Sequence, residues 1–216
     1  MSIIDFQMGI SGRLDAINIG LRALGSSGIS SLDEVDQNVD AAAVDSLINQ
    51  HSQFMQSNSG KGWWFNREEF HKLTPDPVNG YVSVPNSTLS VMVKRNNGKV
   101  VPVTLRGTKL FDAKTMGYDM RSAVFSDGYL HCVLIVNLDF DTLPPIAKQA
   151  VTDMVCFYII NDLEGDQTKM QAYQQASQRS LLALQAEDVS QVRHNMFDNP
   201  YLKSTMNLAG GYNNVR

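Results

Sequence analysis

The chain is short of the residues on which dedicated chemistry is usually built. Its 216 residues include two cysteines, Cys132 and Cys156. Both lie in apolar surroundings and form no Cys-x-x-Cys pair, which excludes a disulfide framework and leaves two buried free thiols as the expectation. The histidines, His51, His71, His131 and His194, are far apart, and none has the His-x-x-x-His spacing of a metal site. Phosphate-binding loops are missing, because Gly9-x-x-Gly12 and Gly25-x-x-Gly28 lack the lysine and the strand–loop–helix setting such a site needs. No stretch approaches the roughly 18–20 continuous apolar residues of a membrane span. The Met1–Phe6 segment has no basic region and is broken by Asp5, so it does not read as a signal peptide. These features predict a chain made in the cytoplasm that stays soluble there or joins an assembly.

Positive charge is also scarce. Lys and Arg number 18 against 22 Asp and Glu, a net charge of -4. Proteins that grip nucleic acid through its phosphates cluster their basic residues on one face. Here they come singly or in pairs, as at Lys94-Arg95, which disfavours a DNA-binding module. Mild acidity suits a surface that nucleic acid passes without sticking.

What is present is ordinary globular material. A hydrophobic fraction of 43% with 19% charged residues is enough for a sizeable core, in one large domain or two small ones closely joined. Residues 1–10 read as an extended arm. From Arg13, the spacing of Leu14, Ile17, Leu21 and Leu24 predicts a helix with Ser11 as its N-cap and Gly25 as its stop. A second helix is predicted to start between Ser31 and Asp36, where Ser31 and Glu34 have capping-box spacing, and to end near Ser57.

The hydrophobic period then changes. Trp63–Phe65 and Phe70–Leu73 read as strands, Tyr81–Val84 alternates with period two, and Leu89–Lys94 should pair with Val100–Arg106 across Asn96-Asn97-Gly98. Lys109–Phe111 is a further short strand, and Thr115–Arg121 a loop. Tyr129–Val136 is continuously apolar, as suits a central strand covered on both faces. Five to seven strands are expected, in a single mixed sheet or a small sandwich, with Pro85 and Pro102 at edges or bends. Helical spacing returns at Thr142. Asp141 or Thr142 is the expected cap, with Pro144 and Pro145 in the first turn. Ile146–Leu163 should be the most buried helix, stopped by Gly165. Asp166 opens a long polar helix to about Asn195, with a thin stripe of Met170, Tyr173, Leu181 and Leu184. The Asn- and Gly-rich tail from Phe197 lacks periodicity.

The resulting plan is α+β: an antiparallel helical bundle built from two N-terminal and two C-terminal helices, residues 11–57 and 142–195, with a β-rich inserted domain at 62–141. Residues 1–10 and 196–216 are extended arms. The junction is Trp63-Trp64-Phe65, where the helical layer hands over to the sheet. Since neighbouring strand residues face opposite ways, at least one tryptophan ring should be core, which favours packing over a sugar-binding platform. The same alternation makes Cys132 beside His131 a poor nucleophile–base pair. Glu68-Glu69 and Asp139-x-Asp141 are the carboxylates available for glycoside hydrolysis, which needs two groups about 5–10 Å apart. Acidic pairs near strand ends more commonly serve as solvated loops.

Several stretches carry a resemblance: Asp15-Ala16-Ile17-Asn18 to Leu24-Gly25, Ser31-Leu32 with Asp40-Ala41-Ala42, and above all Gly62-Trp63-Trp64-Phe65-Asn66-x-Glu68-Glu69. With Val103 to Asp112, Asp141-x-Leu143-Pro144 and the two closing helices, the chain resembles the tail tubular protein A family, the head-to-tail adaptors of short-tailed bacteriophages. The agreement covers nearly the whole chain and rests on the order of short motifs. The resemblance implies a structural virion protein of the tail, without enzymatic activity, cofactor, metal or membrane partner. It implies a homo-oligomeric ring of about twelve copies, docked between the portal protein and the nozzle (tail tubular protein B), with genomic DNA passing through without tight binding. In the last helix and tail, Asn199, Pro200, Tyr201 and Arg216 are the expected portal or neighbour contacts. The alternative is a tail-associated polysaccharide hydrolase using a carboxylate pair drawn from Glu68, Glu69, Asp139 and Asp141.

Overall fold

The computed structural model describes residues 9–94 and 100–197, and the fold is α+β. Helix α1 (Arg13–Leu24) buries Ala16, Ile17, Gly20 and Leu21, and ends at Gly25, whose left-handed backbone (φ 76°) lets its N–H reach back to Arg22 and Leu21. Ser11 is not its cap. Gly12 holds that position, and the Ser11 hydroxyl and N–H turn to the Asp15 carboxylate instead. The free N–H of Arg13 is satisfied from across the fold by Asp141 Oδ1, at 2.7 Å. The predicted capping box at Ser31 and Glu34 likewise does not open the second helix. Leu32–Gln37 is a 3-10 turn, in which Glu34 is engaged by the Ser30 hydroxyl. Helix α2 (Val39–Ser57) starts at Asn38, whose side chain accepts from the N–H groups of Asp40 and Ala41. The two helices approach closely at Gly20, where a Cβ would lie 2.6 Å from a Val44 methyl carbon.

The Trp63–Phe65 stretch is a turn, not the strand that its composition suggests. Trp63 N–H donates to Asn66 Oδ1 at 2.7 Å, while Asn66 N–H donates to Trp63 O at 3.2 Å, and this reciprocal pair closes the backbone on itself. Gly62 enters the turn at φ 64°, and a Cβ there would sit 2.7 Å from Ile135 Cδ1. Extended structure begins only at β1 (Arg67–Leu73).

Strands β2 (Thr88–Lys94), β3 (Val100–Val101) and β6 (Leu130–Val136) join β1 in a four-stranded antiparallel sheet of order β1-β6-β2-β3. Strands β4 (Val103–Arg106) and β5 (Lys109–Asp112) form a separate antiparallel pair. Of the two expectations, a single mixed sheet or a small sandwich, the single sheet is not found, because the strands divide into a four-stranded and a two-stranded antiparallel sheet. The expected partner of Leu89–Lys94 divides at Pro102, which has no N–H to give a ladder. Only Val100–Val101 pairs with β2. Tyr81–Val84 makes one isolated bridge, Ser83 to Lys109, in place of a strand. Strand β6 is central, as its apolar run implied. Leu130, Cys132 and Leu134 enter a β-side core with Val82, Val93 and Leu110, while Ile135 meets Gly62.

Asp141 and Thr142 fall in a 3-10 turn, Phe140–Thr142, so neither caps the next helix. Helix α3 (Pro145–Ile159) has Pro144 in the cap position and Pro145 at its first residue. It buries a broad face, continues through a π turn (Ile160–Glu164) and stops at Gly165. Asp166 accepts from the N–H groups of Thr168 and Lys169 and so starts helix α4 (Gln167–Phe197). Leu184 is the buried residue of its stripe, with Met170, Tyr173 and Leu181 partly covered. All four helices, together with Trp63, Phe140 and Leu143, share one core, and the strands close the other.

Trp63 is buried and Trp64 half-buried. Trp63→Ala should therefore destabilise the protein by about 3–5 kcal/mol in urea titration, and Trp64→Ala by clearly less. Equal losses at the two positions would contradict this packing.

Candidate assembly surfaces and the junction behind them

A pair of buried amides fixes how the sheet sits against the helices. Gln56, on the last turn of α2, is fully buried. Its Nε2 donates to Leu138 O at 2.9 Å and Asn137 Oδ1 at 3.2 Å, and its Oε1 accepts from Leu138 N–H at 2.7 Å. Asn66 is buried beside it. Its Nδ2 donates to Gln56 O at 3.0 Å and Val136 O at 2.9 Å. The end of α2, the tryptophan turn and the exit of β6 are thereby one hydrogen-bonded unit. The Trp63 indole extends it, donating to Met55 O at 2.7 Å. Helix α4 is attached where Asp188 Oδ1 accepts the Trp64 N–H at 3.0 Å.

This unit leaves an apolar groove open on the outer side of α2. A cleft of about 390 Å³ is lined by Leu47, His51, Phe54 and Tyr158, with Gln50 and Asp162 at its polar edge. A second, of about 250 Å³, is bounded by Phe54, Trp63, Met154 and Leu181 among others. Phe54 stands between the two, 71% exposed, although a phenyl ring is a large apolar area to leave in water. The His51 ring stacks on Tyr158 with centroids 4.2 Å apart. Burial in this stack holds the His51 pKa below its ordinary 6.5, against an opposing pull from Asp162. On the sheet side, Phe70 of β1 is 92% exposed.

Several of the residues considered for catalysis are buried or already paired. Cys132 and Cys156 are buried, and burial pushes each thiol up to about 12, far from a reactive thiolate. His131 stacks on Phe125 and pairs with Asp127 at 2.9 Å, on the face of β6 opposite Cys132. Glu68 pairs with His71 at 3.2 Å, and Asp141 is occupied as the remote cap of α1. Glu68, Glu69, Asp139 and Asp141 line neither of these two clefts. Among the described residues no three His, Cys, Asp or Glu side chains gather as a metal site, and no helix is long and apolar enough to cross a membrane.

The junction residues Trp63, Trp64 and Phe65 come together as one aromatic turn, with Trp64 and Phe65 packed edge to face at 5.0 Å. The expected contacts Asn199, Pro200, Tyr201 and Arg216 lie outside the described residues. Sequence reasoning missed Gln56. Its one signal was position, since Ile48, Ser52 and Gln56 continue a buried face at four-residue spacing. The Asp141 and Asp188 contacts join residues more than a hundred positions apart and had no local signal.

Buried amides lock the layers together, and the Asp141 and Asp188 carboxylates accept backbone N–H groups across the fold. The tail tubular protein family model matches residues 14–197, and the chain belongs to that family. It is a structural protein of the phage virion tail, assembled there with other tail proteins. No curated protein matches the sequence.

Because the folded state keeps His51 neutral, this residue's contribution to stability is complete above pH 6.5 and is lost as pH falls through its lowered value. The urea midpoint of the wild type relative to His51→Phe should thus decline between pH 7 and pH 5. A constant difference would contradict the buried stack.

Proposed function

We propose that this chain is the head-to-tail adaptor of its virion, a ring subunit seated between portal and nozzle with DNA passing through the centre. The observation that carries the reading is a set of large apolar side chains left exposed on a subunit whose own cores are closed: Phe54 at 71%, Phe70 at 92%, Leu182 at 64% and Val189 at 50%. The contiguous apolar groove around Phe54 is the kind of surface that another chain covers. Helix α4, 31 residues long with few of its described side chains buried, is suited to meet neighbours along its length. In this reading residues 11–57 and 142–195 form an antiparallel bundle that builds the ring. Residues 62–141 form the β-rich domain carried on it, and the arms 1–10 and 196–216 reach adjacent subunits or the portal. A net charge of -4 is compatible with a channel past which phosphates slide.

Closed cyclic rings arise from head-to-tail contacts between unlike surfaces of identical subunits. Electron microscopy of the purified protein mixed with portal should show a ring of about twelve copies capping it. Removing Phe197–Arg216, which includes Asn199, Pro200, Tyr201 and Arg216, should abolish docking on the portal. Undiminished docking by the truncated chain would contradict the assigned role of the tail.

A further inference from the structure

The Phe54 groove and the root of the N-terminal arm lie on opposite sides of the helical layer. The root is held firmly. Ile10 is buried, Lys148 Nζ donates to Ser11 O at 2.9 Å, and Arg13 reaches Asp45 and Asn49 at 2.6 and 2.7 Å. A cleft at this point is lined by Gly9, Ile10, Ile19 and Gln149. On α2, Asp45 at the root and Phe54 in the groove are nine residues apart, about two and a half turns, and so face opposite ways. The same separation divides Gln149 from Tyr158 on α3.

We propose that the groove of one copy receives the Met1–Met8 segment of the next. The inference rests on the ring reading and specifies one of its contacts. Ile3, Ile4, Phe6 and Met8 make this segment apolar enough for a groove walled by Leu47, Phe54, Tyr158, Trp63 and Leu181. From Leu47 to Ser57 the groove runs about 15 Å along α2, and eight extended residues span about 26 Å. To fill its own groove, the segment would first follow half a helix circumference, about 17 Å. That would use about five of the eight residues. A groove on a neighbouring copy that packs against the root side would need no such detour. Donor on one side and acceptor on the other make a head-to-tail contact, the kind that closes a ring.

Variants with one added cysteine test this in the full-length chain, since Cys132 and Cys156 are each 1% exposed and shielded from oxidant. Phe6→Cys and Phe54→Cys chains, mixed, assembled and oxidised, should give a disulfide-linked dimer that neither variant gives alone. Phe54→Glu, at an exposed position, should keep the native circular dichroism while weakening self-association at least about tenfold. Rings seen by microscopy without the mixed disulfide would overturn the arm contact and leave the adaptor reading standing. Absence of both rings and disulfide would overturn both. An intramolecular bond in the Phe6→Cys/Phe54→Cys double variant, or a Tyr201→Cys to Phe54→Cys bond in place of the Phe6 one, would also overturn it by assigning the groove to the chain's own arm or to the tail.

Discussion

The fold depends on two side-chain amides that have no access to water. Gln56 and Asn66 together satisfy the backbone of Leu138, the carbonyls of Val136 and Gln56, and the N–H of Trp63. Each of these groups would be left unpaired if its amide were replaced by an apolar side chain. An orphaned buried donor or acceptor costs about 1–3 kcal/mol. The amides also have direction, which apolar contacts lack, so they set the angle at which β6 leaves the sheet and the chain returns to α3. Asp141 then caps α1 from that returning segment. The helical core and the β core are consequently coupled through a short stretch of polar structure.

The same network reaches the walls of the apolar groove. Phe54 is two residues from Gln56, and the Trp63 wall of the groove is pinned by the same network. A groove meant to be filled by another chain gains affinity when its walls are already in place, because less ordering remains to be done on binding. The histidine–tyrosine stack at the far end serves the same purpose. Membership of the tail tubular protein family makes assembly the natural use of such a surface.

Much of this was legible in the sequence, for physical reasons that differ by element. Helices α1, α3 and α4 announced themselves through apolar spacing and through Gly25, Pro145, Gly165 and Asp166, all local signals. Strand β6 showed in its unbroken apolar run. The misreadings occurred where composition or spacing was overridden by a neighbouring polar side chain or by long-range pairing. Trp63–Phe65 has strand composition, yet Asn66 bends it into a turn. Ser31 and Glu34 have the right spacing for a cap, yet Asn38 lies one residue before α2 and takes the position. Pro102 was correctly seen as a bend, but which strands its two sides would choose depends on long-range pairing. The groove was invisible for a related reason: Leu47, Phe54 and Tyr158 become neighbours only when α2 packs on α3.

The most direct test is the unfolding of Gln56→Leu in urea, followed by tryptophan fluorescence for the helical core and by hydrogen exchange of β6 amides for the sheet. The amide junction predicts coincident transitions in the wild type. In the variant it predicts a large drop in midpoint and transitions that separate, as the two cores lose their coupling. A variant that unfolds in one coincident transition at the wild-type midpoint would contradict it.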